Sequence, residues 1–175
     1  MRTLVLAGSL ALGLASTAGA AELRATMHKI TEDGVGTSVG TVTITEGKDG
    51  AVFQADLKGL PPGEHGFHAH QNADCGPGKN PEGKTMAGFA AGGHWDPEGA
   101  KAHKGPEGNG HRGDLPVLKV KADGTADERL VAPHVKSLDE LKGHALMIHE
   151  GGDNYADEPK PLGGGGGRIA CGVIE

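Results

Sequence analysis

The sequence predicts an all-β domain of eight short antiparallel strands, and three observations carry that. Val42 and Ile44 alternate with Thr41, Thr43 and Thr45, and Phe53, Ala55 and Leu57 alternate with Gln54 and Asp56, the period-two pattern of half-buried strands. Turn residues recur between such runs, as in Gly34-Val35-Gly36, Gly47-Lys48-Asp49-Gly50 and Leu60-Pro61-Pro62-Gly63. Helix signals are almost missing: only Ser137-Leu138-Asp139-Glu140 has the form of a capping box. At 175 residues the chain suits one domain with a sizeable core.

Taken in order, the chain starts with the basic Met1-Arg2-Thr3, an apolar run over 4–16 and the small-residue site Ala18-Gly19-Ala20. That is the form of a secretory signal peptide, residues 1–20, and the apolar run is too short to span a bilayer. Residues 21–175 are then the domain. Removing 1–20 takes away Arg2 and no acid, so the formal charge of −6 becomes −7. Such an acidic chain argues against a nucleic-acid partner and against polybasic attachment to a membrane. Strands are expected over 22–30, 39–46, 51–57 and 64–71. Two more, 117–121 and 129–132, flank the turn Ala122-Asp123-Gly124, and the last two cover 144–150 and 168–174. Eight antiparallel strands of this length fit a barrel and a sandwich equally.

The densest chemistry lies at 63–75, where thirteen residues hold three histidines and one of the two cysteines. On a strand His68 and His70 share one face and Phe67 and Ala69 the other, while His65 sits an odd number of residues from both histidines. His149 is read as facing outward like His68 and His70, because Leu146 and Ile148 take the opposite face of its strand. Two long segments without strand pattern remain, 72–114 and 151–167, and loops of this length are functional or disordered. In the first, His94, His103, His111 and Asp114 offer three nitrogens and one oxygen, a closed tetrahedral zinc set. His68, His70 and His149 with His94 from the loop would make a four-nitrogen site, which suits Cu(II). Export places Cys75 and Cys171 in an oxidising compartment, and we read them as paired. Trp95 is read as packing under the loop. The run Gly163 to Gly167 is either a flexible linker or a stretch without side chains that leaves a metal accessible. His28, His134 and His144 are read as structural or solvated.

These residues resemble the Cu,Zn superoxide dismutases of the exported bacterial type. The likeness rests on Gly-Glu-His-Gly-Phe-His-Ala-His (63–70), Gly-Gly-His-Trp-Asp-Pro (92–97), His-Arg-Gly-Asp-Leu-Pro (111–116), His-Glu-Gly-Gly-Asp-Asn-Tyr (149–155) and Gly-Gly-Arg-Ile-Ala-Cys-Gly-Val-Ile (166–174). The resemblance covers essentially all of 24–175. It implies a Greek-key β-barrel, copper on His68, His70, His94 and His149, zinc on His94, His103, His111 and Asp114, and a bridging role for His94. It implies that Asp153 links a copper-ligand histidine to a zinc-ligand histidine, and that His65 is a structural histidine fixing neighbouring loops. It matches Cys75 and Cys171 to the family's disulfide and Arg168 to its substrate-orienting arginine. A homodimer and a monomer both fit the bacterial type. One departure is that eukaryotic members carry a Glu, Glu, Lys cluster in the last long loop, whereas here only Asp157, Glu158 and Lys160 add charge between Asp153 and Arg168.

The activity so implied is the conversion of two superoxide ions and two protons into dioxygen and hydrogen peroxide, in the periplasm or outside the cell. Copper does the redox work while His94 releases copper, takes a proton and hands it on. A metal buffer or carrier without turnover would need the same ligands but would gain nothing from a cation such as Arg168 beside copper. A purely structural β-domain would leave six outward or loop histidines unexplained.

Overall fold

The computed structural model describes residues 21–175, so the expected signal peptide lies outside the described residues. Three strands form the first meander: β1 (Glu22–Thr31), β2 (Gly34–Thr45) and β3 (Ala51–Leu57). Next come β4 (Gly63–His65), β5 (Phe67–His70), β6 (Gly78–Lys79) and β7 (Thr85–Met86), then β8 (Leu118–Val120), β9 (Ala126–Ala132), β10 (Ala145–His149) and β11 (Arg168–Val173). A sheet of seven strands runs in the order β5-β10-β11-β1-β2-β3-β9, and β4 pairs with β8.

The expected barrel follows from how those two sheets join. β4 leads into β5 through Gly66, while β8 and β9 are joined by a tight turn in which Lys121 N–H donates to Thr125 O and Gly124 N–H to Lys121 O. The chain thus links both edge strands of the main sheet, β5 and β9, to the β4–β8 pair, which brings the sheet round toward its start. β3 pairs with β9, not with the strand that follows it, and that crossover gives the Greek-key order. Alternate residues fill the interior: Val42, Ile44, Phe53, Ala55, Phe67, Ala69, Leu146 and Ile148 are all fully buried in one cluster. At about 25 cal/mol per Å² of apolar area, these side chains supply the main driving force for closure.

Four local expectations are corrected. Gly34 to Gly36 belong to β2, because the reversal is made by Glu32 and Asp33, and register shifts near His28 let the hairpin continue. The fourth strand is broken at Gly66, whose backbone is taken by other partners: its N–H donates to Gly151 O and its carbonyl accepts from His149 N–H. The segment 72–114 is not free of strand, since β6 and β7 pair within it and a 3₁₀ turn spans Phe89–Ala91. The strand expected from Arg129 begins earlier, at Ala126. Ser137 caps the 3₁₀ turn Leu138–Leu141 as its capping box predicts, with Glu140 accepting from Ser137 N–H at 3.0 Å.

Cys75 and Cys171 form a disulfide, with Cα atoms 5.6 Å apart and a sequence separation of 96. It fastens the segment after β5 to β11, and so holds the loop that carries Gly88 and Gly92 against the sheet. Among the described residues no helix is long and apolar enough to cross a membrane.

Candidate metal centre

Side-chain alternation puts the first donors in place. In the register Met147 lies opposite His68 and Ala145 opposite His70, so both histidines and His149 stand on the face turned away from the main core. That face is not open to water. His68 and His70 are 0% exposed and His149 6%, because the two long loops fold over them. His94 is brought in by backbone pairing, not by a strand of its own. Trp95 N–H donates to Ala69 O, Ala69 N–H to Gly113 O and Gly113 N–H to Trp95 O, which lays 94–95 and 113–114 against β5. Isolated bridges pair His70 with His94 and His68 with Asp114.

Two donor sets result, and they share His94. Ligand atoms of His68, His70, His94 and His149 all lie within 4.8 Å of one another, and so do those of His94, His103, His111 and Asp114. A third group, His68, His103 and Asp153, joins them. Its carboxylate accepts from both sides, from His68 Nε2 at Oδ2 and from His103 Nε2 at Oδ1, each at 2.7 Å. In the neutral ring each such bond fixes a tautomer and directs the lone pair of the opposite nitrogen to the donor sets. His70 Nδ1 donates to Gly92 O at 3.0 Å, which directs its Nε2 to the cluster, 3.4 Å from His149 Nε2.

The free atoms fit two metal ions. His68 Nδ1, His94 Nε2 and His103 Nδ1 are buried without a hydrogen-bond partner, a costly arrangement that a cation would relieve. His103 Nδ1 comes within 2.9 Å of Asp114 Oδ2 but not in hydrogen-bond direction, as two donors aimed at one point would. His94 Nδ1 lies 2.9 Å from Asp114 Oδ1, so its two nitrogens serve opposite sets. Burial, then the neighbouring imidazoles, holds His68 and His70 well below the usual histidine range. His149 is pushed down to about 3, by burial first and His94 next. These rings are neutral at pH 7 and available as ligands. At His103 burial also works against charge, but Asp114 and Asp153 outweigh it and raise the ring to about 9. Asp114 stays well below the carboxylate range, because the adjoining rings of His103 and His94 overcome its burial.

The glycine run is not a slack linker. Gly163 O accepts from Asn154 N–H and Gly165 O from Gly151 N–H, so the run is bonded to its own loop. A β-carbon at Gly163 would overlap Asp153 Oδ1, and one at Gly165 would come within 3.2 Å of His149. Glycine is needed here because the backbone lies directly on the histidines. Arg168, opposite His149 in the ladder, donates from Nη1 to Gly88 O at 2.6 Å and from Nη2 to Gly92 O at 2.7 Å. One carbonyl, Gly92, thus holds both Arg168 and His70. The ring nitrogens of His65 reach His149 O at 2.7 Å and Pro61 O at 2.8 Å, which ties the start of the broken strand to β10 and to the turn before it.

Some supporting residues carried no signal of their own in the sequence. Tyr155 hydroxyl accepts from Val117 N–H at 3.0 Å while its ring covers Gly105, and Asp157 accepts from His103 N–H at 2.9 Å. Both tie the last loop to the first. Trp95 packs as expected, with its ring 4.9 Å from His144. His144 Nδ1 bonds the carbonyls of His70 and Gln71, at 3.1 and 2.8 Å, and His28 Nδ1 bonds Gly36 O at 3.0 Å; His134 is exposed.

A Greek-key barrel bearing two abutting donor sets, one of four nitrogens and one of three nitrogens and a carboxylate, with one imidazole common to both, has the form of a dinuclear metalloprotein. The chain belongs to the copper/zinc superoxide dismutase family, whose family model matches residues 38–174. It is 55% identical over 166 residues to the Cu-Zn superoxide dismutase of Escherichia coli (strain K12), covering 95% of each chain. Among solved structures it is similar to the Cu/Zn superoxide dismutase from Brucella abortus, with a TM-score of 0.86 and 51% identity over 89% of this chain and 100% of that one. The monomeric copper, zinc superoxide dismutase from Salmonella enterica matches with a TM-score of 0.79 and 57% identity, over the same shares.

Proposed function

We propose that this protein disproportionates superoxide, with copper on His68, His70, His94 and His149 and zinc on His94, His103, His111 and Asp114. The observation that carries the reading is the convergence of buried, unpartnered nitrogens from His68, His94 and His103 on two neighbouring points. When bound, copper would supply a one-electron couple and zinc a redox-silent centre holding its four ligands together.

The chain's own groups do the rest. Arg168 presents a cation to the incoming anion while the carbonyls of Gly88 and Gly92 fix its guanidinium, so no reorganisation is needed at encounter. His94 Nε2 is the atom suited to take a proton and pass it to the two-electron product, since Nδ1 stays engaged on the side of Asp114. Asp153 keeps His68 and His103 in fixed tautomers. Two superoxide ions and two protons leave as one dioxygen and one hydrogen peroxide. Homodimer formation is compatible with this reading, since every donor comes from one chain.

A buffer or carrier of copper and zinc needs the same ligands, and Arg168 is what favours catalysis over it. Superoxide consumption by the metal-loaded protein tests the choice. Turnover well above that of the metal-free protein is expected, and two bound metals without turnover would leave the carrier.

We further infer export through cleavage after Ala20, to the periplasm or beyond. Intact mass of the exported protein is expected to place its start within about two residues of Ala21, the first residue after the small-residue site. A mass retaining 1–16 would rule this out.

A further inference from the structure

Within the set His94, His103, His111 and Asp114 three side chains are sealed and one is not. Exposure is 1% for His94 and 0% for His103 and Asp114, against 10% for His111. His94 is closed off by the other donor set, His103 by Asp153 and Gly163, and Asp114 by its pairing with β5. His111 instead lines a cavity of about 220 Å³, together with Glu98, Asn109, Arg112 and His134.

Arg112 stands across that cavity. Its guanidinium pairs with Glu98 of the same loop and with Glu140 of the capped turn Leu138–Leu141, and it lies over the Trp95 ring at 5.5 Å. Glu140 is held by the backbone N–H of Ser137, so the far end of the bridge is anchored to the barrel. The near end is the loop that carries His103 and His111. We propose that this cavity is the port through which the zinc site exchanges its ion, and that the Glu98–Arg112–Glu140 bridge is the latch holding it shut. The proposal rests on the zinc reading of this donor set. A divalent cation leaving past His111 meets the carboxylate of Glu98 and the imidazole of His134, a donor mixture that suits it. Side-chain exposures of 28%, 50% and 25% for Arg112, Glu98 and Glu140 make the latch partly open to water and sensitive to salt.

The test follows zinc release from the protein carrying both metals into excess colorimetric chelator, and zinc capture by the copper-loaded, zinc-depleted protein. Arg112→Met is expected to speed release and capture alike by about tenfold, as loss of two ordinary ion-pair arms would, with copper content unchanged. Raising salt from about 0.05 to about 0.5 M should speed release in the parent protein and not in Arg112→Met. Arg112→Lys should fall between the two. Faster release with capture unchanged would mean that Arg112 only strengthens zinc binding, and rates within twofold of the parent would mean that the ion leaves elsewhere; either overturns the proposal. Asn109→Trp, at the exposed rim, leaves the latch intact and is expected to slow both rates, so the port stays testable if Arg112→Met fails to fold; unchanged rates there also overturn it. A parent protein that binds no zinc would sink the zinc reading itself, a different result from bound zinc with unaltered rates.

Discussion

Replacing His103 with alanine is expected to strip zinc from the protein, loosen residues 72–114 and leave copper bound. His103 offers Nδ1 to the set it shares with His94, His111 and Asp114, while its Nε2 holds Asp153 at 2.7 Å. Alanine removes both. The segment 72–114 has little core of its own, so much of its order comes from the ligands it contributes. A free ion at a thousand times its dissociation constant stabilises by about 4 kcal/mol. At roughly 2–4 °C per kcal/mol for a chain of this size, its loss should lower the unfolding midpoint by about 10 °C. Copper should stay, because none of His68, His70, His94 and His149 is changed and Asp153 still accepts from His68 Nε2 and Tyr155 N–H. Metal analysis beside calorimetry checks this. Loss of copper with zinc untouched would mean that the two sites are exchanged.

How much of this site could be read from the sequence depended on distance along the chain. The shared face of His68 and His70 follows from period two alone, and so does the placing of Phe67 and Ala69 in the core, because alternation needs no knowledge of partners. His149 could be added by the same rule. That these faces are sealed could not be read, since the cover comes from loops whose paths are set by backbone bonds such as Trp95 to Ala69. The first loop announced its chemistry through His94, His103, His111 and Asp114, grouped by donor type alone, for no spacing rule joins them, while the sharing of His94 as a bridge came from the resemblance. Gly92 illustrates the limit: its carbonyl organises both His70 and Arg168, and a carbonyl leaves no trace in residue type. The bridge from Arg112 to Glu140 spans 28 positions and the clamp from Tyr155 to Val117 spans 38, so neither belongs to any local pattern. Gly66 broke a strand that its neighbours predict, because its amide and carbonyl were claimed by Gly151 and His149.

Arg168→Gln is expected to slow superoxide turnover about tenfold, with both metals bound and the fold intact. The formal charge of the chain is −6, so an anionic substrate is repelled at long range and needs a local cation near copper. Arg168, beside His149 and His70, is the cation proposed for that role, and its charge helps to keep both rings neutral. Glutamine keeps an amide able to donate to Gly88 O or Gly92 O, so the disulfide-bound loop should hold its place while the charge is gone. A charge-assisted contact is about twice as strong as a neutral one, and a loss of about 1.4 kcal/mol in the encounter or transition state is a factor of ten in rate. Salt separates the two fields acting on the substrate. If the local cation dominates, added salt slows the parent enzyme; if net repulsion dominates, salt speeds it, since a Debye length of about 10 Å at roughly 0.1 M screens distant charges most. Modest slowing is expected in the parent, because the last loop has no cation besides Lys160 ahead of Arg168, and little or no slowing in Arg168→Gln. A variant with full copper occupancy and unchanged turnover would remove Arg168 from the substrate path, and with it the argument that sets an enzyme apart from a metal carrier.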